Sequence, residues 1–453
     1  MSPRATAAIL GARSASLVSR RLLRRGGTAL PGLVAERIDP GLLGRLGRQL
    51  DATALVTGTN GKTTTARLLA GILTEAGRDV VANREGSNLT RGITAALLQR
   101  GGWRGRLGEG LTGLFETDEA TLPAVAAALQ PRLMVFTNLF RDQLDRYGEV
   151  DSVAAAWRQG IAVAPPDCVL VLNADDPSVA DLAREREGPV HWFGLDVAAL
   201  AGERGAFDAR WCGACGGDFR YGHRYYAHLG DWACERCGRA RPTPDTGATS
   251  VELGSDGTTL AIEGLAPVST SLGGLYNAWN TLAAVAAARV LGAGDEAIRR
   301  GLAGATPAFG RQETVEVEGR RVHLLLVKNP AGANQVIQHL TTLPGPLHLA
   351  FLLNDRHADG QDVSWTWDVD FEALTGRLAS GRAGGDRAAD AALRMRYAGM
   401  EGVAILPPAP EAAVRALAAG VPDGGTVYVI LTYTALLDLR RALRRDGRSG
   451  TYS

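Results

Sequence analysis

The stretch Val56-Thr57-Gly58-Thr59-Asn60-Gly61-Lys62-Thr63-Thr64-Thr65 constrains this chain more than any other. The apolar run Ala52–Val56 precedes it and reads as a buried parallel strand. After it, Ala66, Leu68, Leu69, Ile72 and Leu73 recur at helical spacing. Strand, glycine loop and helix in that order make a phosphate site. Glycines let backbone amides approach an anion, and the helix N-terminus adds unpaired N–H groups and a favourable dipole. Gly58, Thr59, Asn60, Gly61, Lys62, Thr63 and Thr64 are therefore candidate nucleotide contacts. Lys62 would reach the terminal phosphates and the Thr63 hydroxyl would sit on Mg²⁺. Val56 stands where the strict pattern wants a glycine, so the loop is a variant. Lysine usage sharpens the reading. The chain has two lysines, Lys62 and Lys328, among 49 basic residues. An arginine-rich chain keeps lysine where a compact ammonium does what a guanidinium fork cannot.

With 453 residues there is room for two to four domains and a sizeable core. A net charge of +1 argues against a nucleic-acid binder and against acidic tails. The start is uneven: Arg13, Arg20, Arg21, Arg24 and Arg25 surround Leu17, Val18, Leu22 and Leu23. This segment reads either as a solvated basic cap on the first domain or as an amphipathic contact with anionic lipid. No run approaches eighteen apolar residues, so no spanning helix is expected, nor a signal peptide.

Cys212-x-x-Cys215 and Cys234-x-x-Cys237, eighteen residues apart, have zinc-ribbon spacing. Two knuckles would supply four thiolates to a structural Zn²⁺. Cys168 lies in an apolar run and reads as core. The aromatics around the knuckles (Trp211, Phe219, Tyr221, Tyr225, Tyr226, Trp232) read as the small core of a ribbon rather than a base-stacking surface.

From Ala52 the pattern alternates strand and helix, with strands at Ala52–Val56, Asp79–Ala82, Gly113–Glu116, Arg132–Thr137 and Cys168–Leu172. That argues for a parallel, doubly wound sheet with ligands at the strands' carboxyl ends. Three acidic or amide clusters fall there: Glu116 to Glu119, Thr137 to Asp145 including Asn138, and Asn173 to Pro177. Oxygen ligands at strand ends suit a magnesium–nucleotide site, with Glu116 beside Thr63 as the metal pair. Asn277 and Asn280, three apart at a helix start, suit an adenine edge. Pro307 to Glu313 reads as a linker that aims Arg311 at ribose or phosphate. A new strand–helix pattern follows, with strands at Val322–Val327, Leu347–Leu353, Val403–Leu406 and Thr426–Leu431. Lys328 ends the first of these, and Asp355, Asp359 and Asp362 follow the second.

G-T-N-G-K-T-T, E-T-D-E, T-N-L-F-R-D-Q-L-D, N-A-D-D-P, L-Y-N-A-W-N and G-R-Q-E occur in the order in which the Mur ligase family carries them, so the chain resembles that family over residues 50 to 313. The resemblance implies an α/β fold: a short basic segment (1–50), a central ATPase domain with a parallel sheet (51–313) carrying the four-cysteine zinc-ribbon insert (207–243), and a C-terminal Rossmann-like α/β domain (314–453). Fifty residues leave no room for the family's UDP-binding domain. Gln143 stands where the family has a histidine near a second Mg²⁺. The insert, K-N-P-A-G and N-D-x-x-A-D-G-x-D-x-S-W-x-W-D narrow the resemblance to the family's amidating branch. That branch implies ATP, Mg²⁺ and structural Zn²⁺, and a cytoplasmic ligase subunit at the inner membrane face. It implies that the α-carboxylate of D-isoglutamate in lipid II is activated as an acyl phosphate and amidated with ammonia. The ammonia would come from a GatD-like glutamine amidotransferase partner in a heterodimer. Lys62 and Lys328 would offset phosphoryl charge. Asp362 is assigned to the partner's catalytic triad, with Asp359 and Asp355 left open. A folylpolyglutamate-synthetase-like ligase that adds an amino acid is the alternative.

Overall fold

The computed structural model describes residues 3–22, 30–83, 87–102, 105–141, 150–184, 186–197, 200, 208–254, 257–305 and 311–445. They form two compact units that part between residues 305 and 306, with 141 and 208 counted in the second.

The first unit is built on a nine-stranded sheet. In chain order its strands are β1 (Ala52–Thr57), β2 (Asp79–Ala82), β3 (Leu111–Glu116), β4 (Leu133–Phe136), β5 (Val169–Asn173) and β6 (Val190–Leu195). After the insert hairpin β7 (Phe219–Tyr226) and β8 (Leu229–Cys234) come β9 (Thr246–Gly254), β10 (Gly257–Ile262) and β11 (Val268–Thr270). The sheet runs β11-β10-β9-β6-β5-β4-β1-β3-β2. Pairings from β2 through β9 are parallel, and β9, β10 and β11 close that side as an antiparallel meander. Every residue of β1 is buried, as expected for a parallel strand covered on both faces. The chain winds from β1 to β2 and β3 on one side, then returns to β4, β5 and β6 on the other. The carboxyl end of β1 is thus the switch point at which a doubly wound sheet opens a crevice.

The N-terminal segment forms three helices, Pro3–Leu22, Leu30–Ile38 and Leu42–Gly47, that are part of this unit. Ala5, Ala8, Ile9 and Ala12 are fully buried in its core. Gly32 lets the second helix touch helix Thr90–Arg100, since a Cβ there would meet the Arg91 carbonyl at 1.8 Å. Residues 5–12 thus cover protein, while the segment on which the lipid reading rests runs from Arg13 to Arg25. Side chains of residues 17–22, Arg20 and Arg21 among them, and Leu23, Arg24 and Arg25 lie outside the described residues.

The second unit carries a six-stranded sheet: β12 (Arg311–Val317), β13 (Arg320–Leu326), β14 (Leu347–Leu352), β15 (Leu378–Gly384), β16 (Ala404–Ile405) and β17 (Thr426–Leu431), ordered β12-β13-β17-β14-β15-β16. Only β12 is antiparallel. Residues 311–313, expected as linker, begin β12, and the side chain of Arg311 lies outside the described residues. β15 reads Leu-Ala-Ser-Gly-Arg-Ala-Gly. Such residues disfavour strands, and only burial between β14 and β16 selects the conformation.

Candidate active site

The loop after β1 ends at Gly61, the cap of helix Lys62–Glu75, with φ 86°. Gly58 has φ 140°, and a Cβ there would meet Thr137 Oγ1 at 1.9 Å; one on Gly61 would meet Asn280 Oδ1 at 2.0 Å. No other residue type fits either position without displacing its neighbour. The segment after β4 holds the loop from behind. Thr59 N–H donates to the Asn138 carbonyl (2.9 Å), and Thr59 Oγ1 donates to the Phe140 carbonyl (3.1 Å). Asn138 grips Asn60 at both ends of its amide, accepting from the backbone N–H (3.0 Å) and donating to the carbonyl (3.1 Å). Thr137 Oγ1 also donates to the Asn60 carbonyl at 2.7 Å. Asn138, a candidate nucleotide contact by sequence, is thus a brace of the loop.

Lys62 opens the helix and is buried. Its Nζ donates to the Gly58 carbonyl at 2.5 Å and pairs with Glu119 Oε1 at 2.6 Å. A buried ammonium is costly unless a carboxylate and hydrogen bonds offset its lost hydration, and Glu119 supplies the charge. At the next residue, Thr63 Oγ1 donates to Glu116 Oε2 at 2.7 Å. Asn83 fixes Glu116 by bonding both its N–H (2.9 Å) and its carbonyl (2.8 Å). Thr64 is buried in the same turn. A hydroxyl and a carboxylate side by side at a glycine loop are a hard-oxygen pair that fits Mg²⁺ beside a polyphosphate. Gln143 lies outside the described residues.

Asn277 and Asn280 sit on helix Leu275–Val290, capped by Gly274. Asn277 Nδ2 donates to the Gly273 carbonyl (2.7 Å), and Asn280 Nδ2 donates to Asn277 Oδ1 (3.0 Å). The pair therefore forms an amide chain that ends with Asn280 Oδ1 against Gly61.

The third strand-end cluster differs from the expectation of a metal edge. Asp175 and Asp176 have no exposure at all. Asp175 accepts from Arg241 Nε (2.7 Å), Trp279 Nε1 (2.6 Å) and the Leu195 N–H (2.8 Å). Burial nonetheless pushes its carboxyl above the ordinary aspartate range. Asp176 caps the short helix Pro177–Ala180 through Ser178 and Val179 and accepts from Leu139 N–H at 2.7 Å. Both carboxylates tie the sheet to its neighbours and are closed to solvent.

In the four-cysteine insert, the sulfurs of Cys212, Cys215, Cys234 and Cys237 lie within 4.8 Å of one another. Cys212–Cys237 and Cys215–Cys234 stand 3.7 and 3.5 Å apart. Sulfurs tetrahedral about zinc at about 2.3 Å are about 3.8 Å apart, whereas a disulfide needs about 2.0 Å. The donor set fits Zn²⁺. The backbone N–H of Cys237, with that of Arg236, draws the Cys234 thiol down to about 6. Gly216 and Gly238 take positive φ in the two knuckles. Tyr225, Tyr226 and Trp232 are buried, as a ribbon core requires, while Trp211 is exposed.

In the second unit, Lys328, Asn354 and Thr432 follow β13, β14 and β17, three adjacent strands whose carboxyl ends share one edge. Lys328 is half-buried, and Asn329 caps helix Pro330–Thr342 by accepting from Gly332 N–H at 2.8 Å. The three aspartates after β14 differ sharply. Asp359 is buried and accepts from the N–H (2.8 Å) and hydroxyl of Thr434; burial raises its pKa. Asp355 pairs with Arg387 at 3.2 Å. Asp362 is exposed, and the hydroxyl and N–H of Ser364 hold its carboxyl below the ordinary range. Cys168 is fully buried, and burial pushes its thiol up to about 12.

The glycine loop, its buried lysine, the strand-end carboxylate and the second α/β unit define an ATP-dependent amide ligase of the Mur type. The Mur ligase middle domain family matches residues 56–208, and the MurT ligase C-terminal family matches residues 326–436. The chain is 37% identical over 447 residues to the lipid II isoglutaminyl synthase (glutamine-hydrolyzing) subunit MurT of Streptococcus pneumoniae, covering 98% of each chain. The corresponding Staphylococcus aureus (strain COL) subunit is 31% identical over 441 residues, covering 97% of this chain and 98% of that one. The chain belongs to the MurT subunit family. Among solved structures, the pseudomurein peptide ligase type C of Methanothermus fervidus shares the fold at a TM-score of 0.66 and 23% identity, over 87% of this chain and 79% of that one.

Proposed function

We propose that this protein is the ligase subunit of a lipid II isoglutaminyl synthase: it uses ATP to convert a stem-peptide D-isoglutamate α-carboxylate to the amide. The observation that carries the reading is buried Lys62 at a braced glycine loop, beside the Thr63–Glu116 pair. In this reading backbone N–H groups and Lys62 take the terminal phosphates of ATP. Thr63 and Glu116 would hold Mg²⁺, which when bound neutralises phosphate charge and orients the leaving group. The substrate carboxylate forms a bond to the γ-phosphorus as the bond to ADP breaks. Ammonia then attacks the acyl carbon, and phosphate leaves with the former carboxylate oxygen. A carboxylate at neutral pH is a poor electrophile, so phosphorylation supplies the missing leaving group. Lys328 is assigned the charge of the acyl phosphate. From residue 51 the first unit is assigned to the ATPase domain, and the second unit, whose sheet begins with β12, to the C-terminal domain.

Nitrogen comes from another chain. Glutamine hydrolysis needs an activated thiolate. Of the five cysteines, four stand in the thiol cluster of the insert and the fifth is buried with its thiol pushed up. A GatD-like glutaminase partner is therefore part of the proposal. Asp362 is the aspartate offered to its triad, because Asp359 is committed to Thr434 and Asp355 to Arg387. The four-cysteine insert and the high-coverage MurT relatives disfavour the folylpolyglutamate-synthetase-like alternative. Among the described residues no helix is long and apolar enough to cross a membrane, and a cytoplasmic site of action on lipid II is part of the same proposal. The test is ATP turnover by the purified chain with lipid II. Turnover with ammonium but not with glutamine supports the reading. Ammonia released from glutamine by this chain alone overturns it.

A further inference from the structure

The hairpin of the four-cysteine insert reaches from its thiols to the back of the phosphate loop. β7 and β8 are joined by Ala227 (φ 50°) and His228. His228 is fully buried. Its Nε2 lies 3.4 Å from Asp176 Oδ2, a close approach in which neither ring nitrogen makes a hydrogen bond, and its ring centroid lies 4.5 Å from that of Phe140. The same Asp176 oxygen accepts from Leu139 N–H. Leu139 and Phe140 belong to the segment that holds the loop: Phe140 N–H donates to Thr59 Oγ1 at 3.0 Å, and the Phe140 carbonyl accepts from that hydroxyl. A second connection runs alongside. Trp232 Nε1 donates to the Ala174 carbonyl (3.0 Å), and Gly230 N–H donates to the Asp175 carbonyl (3.0 Å). Asp175 in turn accepts from Trp279, on the helix whose Asn280 abuts Gly61.

We propose that His228 is a positioning residue for the nucleotide: its ring packs on Phe140 and faces the Asp176 oxygen that holds Leu139, and residues 138–140 hold Thr59 and Asn60. This rests on the reading of the glycine loop as the phosphate site. Backbone N–H groups bind phosphate only where they are held in place beforehand, and small displacements are amplified in a preorganised site. His228 fills the space between a carboxylate and an aromatic ring that both touch the loop's support. A core histidine that merely occupies volume would change melting temperature and leave nucleotide affinity alone.

The experiment uses the full chain with its glutaminase partner, His228→Phe, His228→Gln and Tyr221→Phe. The phenylalanine keeps the ring against Phe140 and removes the polar edge facing Asp176; glutamine restores a polar edge. Tyr221→Phe removes only the hydroxyl that donates to the His228 carbonyl at 3.2 Å. Calorimetric Kd for Mg-ADP and steady-state KM for ATP and ammonium are measured beside the melting temperature. His228→Phe is expected to raise Kd and KM for ATP by about tenfold, with KM for ammonium unchanged. His228→Gln should return to within about threefold of wild type, and Tyr221→Phe should raise Kd by about twofold. Folded His228 variants with wild-type Kd and KM for ATP overturn the proposal, as does an equal rise in KM for ammonium. Should both His228 variants fail to fold, an unchanged Kd in Tyr221→Phe overturns it. A wild-type chain that binds no Mg-ADP would instead sink the phosphate-site reading.

Discussion

The phosphate loop after β1 and the acidic loop after β14 occupy the same kind of place, the carboxyl end of an interior parallel strand, and are built in opposite ways. Around Gly58–Lys62 nearly every polar group is engaged: Asn138 holds Asn60 at both ends of its amide, Thr59 is fixed by residues 138 and 140, and Lys62 is buried against Glu119. After β14, Asp359 is buried and tied to Thr434, and the chain then turns outward to leave Asp362 exposed and ionised. A site for a small polyanion needs a rigid, partly desolvated cradle. A residue offered to another polypeptide needs a fixed base and an exposed tip. In the proposed function, this difference separates a loop for chemistry on a small molecule from one that completes a partner's site.

Five measurements break or sharpen that contrast. Lys62→Ala should have the largest effect, lowering both ammonium- and glutamine-dependent turnover by about 10³-fold, because a phosphate donor is lost and Glu119 is left buried without its cation. Retained activity with either nitrogen source would remove the cradle from the argument. Asp362→Asn should lower glutamine-dependent turnover by about 10²-fold while ammonium-dependent turnover stays within about twofold. Asp359→Asn should instead lower the melting temperature and affect both activities, and a reversal of those two phenotypes would exchange the two aspartates' roles. Cys234→Ser should release metal, read as bound zinc per chain, and lower the melting temperature by about 5 °C. The smallest effect is pH-dependent. His323 lies beside Thr314 and Tyr428 in the second sheet, and burial first, then His339, holds it down to about 4, against about 6.5 when unfolded. The folded pKa is depressed, so the unfolded chain binds the extra proton and stability is lost as pH falls from about 6.5 to about 4. Urea unfolding at pH 7 and pH 4.5 should differ by about 1–2 kcal/mol more in wild type than in His323→Gln.

Much of the first unit was legible in sequence because β1 to β5 are short apolar runs ended by glycine, amide or acidic turns, and these five fell within two residues of expectation. β6, β9, β10, β11, β12 and β15 were not. Gly194, the glycine-flanked β9 and the alanine- and glycine-rich β15 have weak local preference, and their partners along the sheet decide them. The site divides in the same way. The glycine loop, Lys62, Thr63 and Glu116 were readable from spacing. The Lys62–Glu119 pair and the His228–Asp176 pair each join residues far apart in sequence, and no local pattern announces either.

The sequence by itself determined a glycine loop on a strand-to-helix turn, a four-cysteine insert and a second α/β unit with a strand-end lysine, because each is written in local periodicity and fixed spacing. Tertiary structure decided which polar groups are committed. It buried Asp175, Asp176 and Asp359, exposed Asp362, turned Asn138 and Asn280 onto the loop, and set the insert's hairpin tip behind it. Whether a carboxylate is a buried tie or an available reagent depends on the donors around it, and those arrive from distant strands once the sheet has closed.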